Sequence, residues 1–496
     1  MTTAPNIKRF VDIVDRGPED DLFYPASSNN TIFHREHRPY HNVVPEVVEI
    51  GYQGNAAWGQ RITIALTRKD SGDLLQWICL RLQPRSWMGE HESKILNGWD
   101  YQDPSAAWMW ASSLGTIAIQ KVDFEIGDTL VESWPGEWMD VWSRAWMDGG
   151  RAAVWDSDIY GKLPPGTIRQ LTRPPWTTVL PTEDGYVYCW LPLCMLRRPQ
   201  TAFPLVVMGE QEVRVHVTLR PFNEVVRRRA VPRTNPCEVP LGETVVLLDT
   251  SGPTPVPWAC TLPDVIPAIE DVTVLVGVVH TEDPLRSNYM RVPMEIMYEP
   301  VRYARFDLPD AITQPSGTPI TMNFPLREFN GPIREICFFL RRKGVWQFNE
   351  WTNYGALGEA EVYSPLSFNT TSGQPAPQQP ILVSAQLMVD NAVWRNETEQ
   401  WWRIEYGLAH RGGVRLTGGF VYGFVLGEAA GWTAEDLQPA GTVNTSRASM
   451  RLDLTMQAPS PIAGIPYVSG WEVHVFGVGL NWMRFVKGLA VPLFQD

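Results

Sequence analysis

Several marks of familiar protein classes are missing from this sequence. Its 496 residues hold only six cysteines (Cys79, Cys189, Cys194, Cys237, Cys260 and Cys337), with no CxxC pair and no dense spacing. That excludes a disulfide scaffold and reads as reduced thiols in an intracellular protein. A surplus of positive charge is also missing: 42 Lys and Arg stand against 55 Asp and Glu, a formal net charge of −13. Coating a nucleic acid requires cationic surface that displaces counterions from phosphates, so no direct nucleic-acid binding is expected. No run reaches the ~20 apolar residues of a spanning helix. Met1 to Phe10 carries no apolar stretch ahead of a cleavage site, so neither a transmembrane segment nor secretion is expected. The GxSxG, GxxxxGKS/T and GxGxxG signatures are absent, and His91-Glu92 lacks the second histidine of a zincin helix.

What is abundant is aromatic surface and strand pattern. The 22 tryptophans, with Phe and Tyr, bring aromatic residues to 11%, which suits large sheets, wide interfaces or carbohydrate stacking. A single core stops growing at about 250 to 300 residues, so the length predicts two or three domains. Glu212 to Arg220 alternates Val213, Val215, Val217 and Leu219 with polar residues, the signature of a half-buried strand. The same period recurs in Arg61 to Thr67, Lys121 to Ile126, Arg451 to Met456 and Trp471 to Val478, and it argues for antiparallel sandwiches. Helical pattern is confined to Gly136 to Met147, where Trp138, Trp142 and Trp146 recur every four residues, and to a short stretch at Asp283 to Arg291. Pro221 to Pro240, rich in Pro, Arg and Asn, reads as a linker between two sandwiches. The expected division is an arm over 1–25, a first lobe over 26–224, a linker over 225–240 and a second lobe over 241–496, with no residue-level repeat between the lobes. Asn369 to Pro380 reads as a long surface loop.

Candidate sites have plain readings. His34, His37 and His41 sit among Arg35, Arg38 and Pro39, which disfavour a metal, and none is expected; nor is a cofactor. Asp123 and Glu125 alternate with Val122, Phe124 and Ile126, as on the solvent or interface face of a sheet, and no catalytic pair is expected. The Trp138, Trp142 and Trp146 stripe reads as packing against a sheet or a neighbouring subunit rather than as a sugar platform. Arg227 to Arg229 reads as solvated linker charge, and the sequons at Asn29, Asn369, Asn396 and Asn444 are not taken as glycosylated. In Gly441 to Arg447, Gly441 permits a tight bend, Asn444 and Ser446 can satisfy free backbone groups, and Arg447 can reach an acceptor across the loop, which together read as a structural latch.

Taken in order, TIFHREHRPYHN (Thr31 to Asn42), GYQGNAAWGQRITIAL (Gly51 to Leu66), DLLQWICLRLQ (Asp73 to Gln83), IQKVDFEIGDTLVESWPGEWMDVW (Ile119 to Trp142) and RRPQTAFPLVVMGEQEVR (Arg197 to Arg214) form a series. It continues with VVHTEDPLRS (Val278 to Ser287), LQPAGTVNTSRASMRLDL (Leu437 to Leu454) and VHVFGVGLNWMRFVKGLAVPLF (Val473 to Phe494). The series resembles the double jelly-roll major capsid proteins of nucleocytoplasmic large DNA viruses, from about Asn30 to the C-terminus. The segment with Gly441, Asn444, Ser446 and Arg447 is its most specific single match. Met147 to Tyr186 matches no family motif and is expected to project as outer decoration.

The resemblance implies an all-β chain of two consecutive eight-stranded antiparallel jelly rolls with long loops and a few short helices. It further implies a structural, non-enzymatic role: a homotrimer forming a pseudo-hexagonal capsomer that tiles an icosahedral capsid. The partners implied are neighbouring capsomers and minor capsid and penton proteins, with indirect contact with an inner viral membrane. The localisation implied is the virion, assembled in the cytoplasm of the infected host cell. The arm, with Phe10, Val11, Ile13 and Val14 beside Glu19, Asp20 and Asp21, is expected to bind beneath the capsomer. Two alternatives stand: a minor double jelly-roll capsid paralogue, and, from a different class, a Trp-rich β-sandwich carbohydrate-binding protein or glycosidase with acids and Trp grouped in one groove.

Overall fold

The period-two segments become strands because only a pleated chain places every second side chain on one face. The computed structural model of the protein describes residues 41–84, 108–111, 113–146, 186–197, 201–228, 244–249, 256–261, 265–308, 318–343, 348–356, 379–409, 420–426, 441–457 and 470–494. The expected arm, His34, His37 and the segment 147–185 lie outside them.

Among the described residues, eight strands make the two main sheets of the first lobe: β1 (Val43–Ile50), β2 (Arg61–Leu66), β3 (Leu74–Pro84), β4 (Ile119–Ile126), β5 (Thr129–Pro135), β6 (Val187–Trp190), β7 (Val213–Leu219) and β8 (Ile269–Thr281). They form two antiparallel sheets in the orders β1-β8-β3-β6 and β2-β7-β4-β5. Eight more make the second: β9 (Val301–Asp307), β10 (Pro319–Pro325), β11 (Pro332–Arg342), β12 (Leu382–Val389), β13 (Ala392–Thr398), β14 (Val421–Val425), β15 (Met450–Gln457) and β16 (Trp471–Gly479). Their orders are β9-β16-β11-β14 and β10-β15-β12-β13, with the short strand Val443–Asn444 added to β11. Adding eight to every strand number of the first lobe reproduces the second. The duplication that no residue-level repeat discloses is therefore one of topology, and both lobes are jelly rolls.

The lobe boundary differs from the expected one. β8 pairs with β1 from Val43↔Thr281 to Ile50↔Val274 and with β3 on its other side, so the first jelly roll extends to Thr281. Pro221 to Ala268 is an excursion between its seventh and eighth strands. That excursion includes Val226–Arg228, paired with Trp108–Trp110, and the hairpin Thr244–Asp249 with Val256–Thr261. The Pro- and Arg-rich composition of 225–240 suggests a linker, but composition does not record which sheet the next strand rejoins. The lobes divide instead at helix α2 (Asp283–Arg291), which, like α1 (Glu137–Trp146), falls where expected. A further long helix, α3 (Glu399–Ala409), lies where the sequence pattern predicts none. Both lobes belong to one compact unit, Val43–Asp496.

The core follows the alternation. Val213, Val215, Val217 and Leu219 of β7 are fully buried, as are Ile62 and Ile64 on neighbouring β2. Cys79, Cys189, Cys194 and Cys337 are buried free thiols, and burial pushes the Cys79 thiol up to about 12. A last three-stranded sheet, Met294–Tyr298, Asn481–Val486 and Leu489–Pro492, returns the C-terminus to the first lobe. There Gly209 and Glu210 donate to the Gly488 carbonyl, Ala490 N–H donates to Gln211 Oε1 at 2.8 Å, and Phe203 meets Phe485 edge-on.

Candidate functional site

The feature with the densest chemistry is the joint where the two jelly rolls meet. It starts at Gly136, between β5 and α1. The Gly136 N–H donates to the Gln120 carbonyl, and a side chain there would collide with the Ile119 carbonyl oxygen, so only glycine admits this turn. The turn aims α1 into the joint. Trp138, Trp142 and Trp146 are at most 1% exposed, so the stripe packs inside the chain and faces no solvent. Trp138 meets Phe476 of β16 at 5.2 Å between ring centroids, and the Arg197 guanidinium lies over the Trp138 ring, 5.4 Å from its centroid.

At the head of α1, the Glu137 carboxylate receives Arg220 from the first lobe at 3.2 Å and Arg341 of β11 at 3.3 Å. Arg341 also donates through Nε to Glu472 of β16 and through Nη1 to the Trp351 carbonyl. The Trp351 ring stacks under both cations, 3.9 Å from Arg220 and 5.2 Å from Arg341. His474 completes the set: its Nδ1 lies 2.8 Å from the Tyr303 hydroxyl and its Nε2 3.2 Å from Glu472. Burial alone would raise the Glu137 pKa, but Arg220 and Arg341 outweigh it and hold the carboxyl at about 2. Glu472 is held down by Arg341 in the same way, against its burial.

Two further contacts flank this network. Glu132 of β5 accepts the backbone N–H of Cys194 at 2.8 Å and that of Val301, the first residue of β9, at 2.9 Å, while Arg197 donates to Glu132 and to the Glu299 carbonyl. On the other flank the segment 348–356 grips the first lobe. Asn349 donates to the carbonyls of Asn223 and Val226, Trp351 Nε1 to the Glu224 carbonyl at 2.9 Å, and the Tyr354 hydroxyl to Asp140 of α1 at 2.7 Å. Arg144 joins that Asp140 to the Thr352 carbonyl.

The segments singled out in the sequence are partly gathered here. Asp73 of the DLLQ segment accepts the Thr281 N–H at 3.0 Å and pairs with Arg286 at 2.9 Å, both from VVHTEDPLRS, and so pins the end of β8 to α2. Against its burial, these partners hold the Asp73 carboxyl below its usual range. Gly441, Asn444, Ser446 and Arg447 lie apart from the joint, in the loop before β15. Gly441 adopts φ +61°, and Asn444 Oδ1 accepts the Ser446 N–H at 3.0 Å. Gly331 N–H donates to Ser446 Oγ, and Thr445 donates to the Gly331 carbonyl through both N–H and hydroxyl, each at 2.9 Å. The latch is closed by Thr445 and Ser446 rather than by Arg447, whose side chain is exposed and meets no acceptor among the described residues. Asp123 pairs with Lys121 at 2.8 Å and Glu125 with His216 at 3.0 Å along the face of β4. Among the described residues, no group of three or more His, Cys, Asp or Glu is placed to hold a metal ion, and no helix is long and apolar enough to cross a membrane.

Residues 31–239 match the family described as major capsid protein N-terminus. The major capsid protein of Phaeocystis pouchetii virus is 23% identical over 221 residues, 41% of this chain and 39% of that protein. The chain thus spans about two fifths of the length of the curated relatives it matches. Among solved structures, PBCV-1 VP54, fitted into a reconstruction of the virophage Sputnik, superposes with a TM-score of 0.63 at 15% identity, covering 94% of this chain and 100% of that one. The Faustovirus major capsid protein gives a TM-score of 0.60 at 10% identity, covering 97% and 96%. By fold the chain is a double jelly-roll protein. Its resemblance to the major capsid proteins of nucleocytoplasmic large DNA viruses holds in sequence over its first part and in fold over both lobes.

Proposed function

We propose that this chain is a structural capsid protein with no catalytic role: three copies close into a pseudo-hexagonal capsomer, and capsomers tile the icosahedral shell of a large double-stranded DNA virus. The observation that carries the reading is the repeated strand order welded by a buried joint. One chain then behaves as a rigid block of two like lobes, and three such blocks supply the six lobes of a near-hexagonal ring. Apolar side chains left exposed on both lobes, such as Val44 and Val47 on β1 and Val393 and Trp394 on β13, supply surface for contacts between copies. The localisation proposed is the virion, after assembly in the host cytoplasm, with neighbouring capsomers and minor capsid and penton proteins as partners. The buried Trp138, Trp142 and Trp146 are withdrawn from any sugar platform, which removes the feature that best supported a carbohydrate-binding alternative.

Light scattering on the purified chain, with electron micrographs of the same peak, tests the proposal. The expected result is three times the 56.1 kDa chain mass with hexagonal outlines. A stable single-chain mass at every concentration tried would refute a self-assembling capsomer.

A further inference from the structure

One side chain in the joint is of the type whose ordinary pKa lies nearest neutrality, and its surroundings suit its neutral form. His474 is 2% exposed, with its ring stacked on Phe339 at 4.5 Å. The charged and titratable groups that face it come from every element around it. β9 supplies Tyr303 at Nδ1 and Arg305, which reaches Glu472 Oε2 at 2.9 Å and is shared with Asp307. β11 supplies Arg341, whose Nη2 lies 3.3 Å from Nε2, and β16 supplies Glu472, whose Oε1 lies 3.2 Å from the same nitrogen. α1 supplies Glu137, reached through Arg341 and backed by Arg220.

While the ring is neutral, the buried carboxylates of Glu137 and Glu472 balance the guanidinium groups of Arg220 and Arg341. A ring protonated on Nδ1 alone donates to Tyr303 and turns the Nε2 lone pair toward Arg341. A second proton replaces that lone pair with an N–H aimed at another donor and adds an uncompensated cation to a balanced buried set. Among the described residues the acceptor in reach of the new N–H is Glu472 Oε1, which is also the oxygen that Arg341 Nε uses. Arg341 is the side chain that ties the second lobe to Glu137 of α1.

We propose that His474 is an acid-operated release in the joint between the two jelly rolls: its second protonation displaces Arg341 from Glu472 and Glu137 and frees helix α1 from the second lobe. This holds whether or not the chain builds a capsomer. The direction follows from burial, which holds the His474 pKa below its ordinary 6.5. As pH falls below 6.5 the unfolded chain takes the proton first. The contribution of His474 is therefore complete above 6.5 and is lost progressively as pH falls toward the depressed value.

Amide hydrogen exchange on the full chain at about pH 7.5 and about pH 5, corrected for intrinsic rates, tests this against His474→Gln, which cannot take up the proton. In the unaltered protein, protection in Glu137–Trp146 and 348–356 is expected to fall about tenfold on acidification, and to stay within about twofold in the variant. The remaining histidines are common to both proteins and cancel in the comparison. Equal losses in the two proteins would overturn the proposal. A second measurement needs no variant: titration of the His474 ring by NMR. Proton uptake below 6.5 in step with the loss of protection supports the proposal; uptake at or above 6.5, or uptake with protection unchanged, overturns it.

Discussion

Neutralising Glu137 would leave two buried guanidinium groups without the carboxylate they share. Glu137→Gln keeps the shape and removes the charge, and breaking a buried pair in this way costs about 3 kcal/mol, to be read as a lower urea midpoint with an unchanged slope. The pH dependence has a fixed sign. A carboxyl held at about 2 against an ordinary 4.5 stabilises fully above 4.5 and loses that contribution as pH falls toward 2, so the unaltered protein should destabilise more steeply than Glu137→Gln across that window. At this scale little of the joint is legible in the sequence. Glu472 and His474 alternate with Val473 and Val475, which is the pattern of a strand with one solvated face, yet every residue of β16 is buried. Its polar face meets α1, and the arginines that pair with Glu472 and Glu137 lie far away along the chain, so no local pattern records them. Arg447 fails in the opposite direction: a cation in a turn that opens at Gly441 suggests a contact, and the turn closes without it.

Single elements were far more legible, because a strand or helix is decided by neighbours in sequence. The period-two runs ending at Thr67, Ile126 and Met456 correspond to β2, β4 and β15 within a residue or two, and the Trp stripe marks α1. α3 escaped because Trp401 and Trp402 are adjacent, which blurs the helical period, and because it follows β13 with no breaker between them. The motif loop yields a prediction at this scale. Ser446→Ala removes the acceptor of the Gly331 N–H and should cost about 1 kcal/mol, while Arg447→Ala should stay within about 0.5 kcal/mol, both measured by thermal unfolding. A larger effect from Arg447→Ala would return that residue to the latch.

For the whole molecule, two lobes of antiparallel strands were legible from composition and pattern, but their division was not, because it depends on which sheet β8 rejoins. A fragment ending at residue 240 lacks the strand that lies between β1 and β3, so it should fail to give a cooperative unfolding transition; a fragment continuing to Arg291 should gain folded β signal by circular dichroism. The same pairing governs the order of events during synthesis. Translation delivers seven strands of the first jelly roll ahead of a long excursion, and that lobe cannot close until Thr281 has left the ribosome. Until then the edges of β1 and β3 that β8 will cover stand open to other chains. A nascent chain in that state, on a message read by many ribosomes at once, should need chaperone cover until β8 emerges, and slowing elongation within 221–268 should lower the yield of soluble protein.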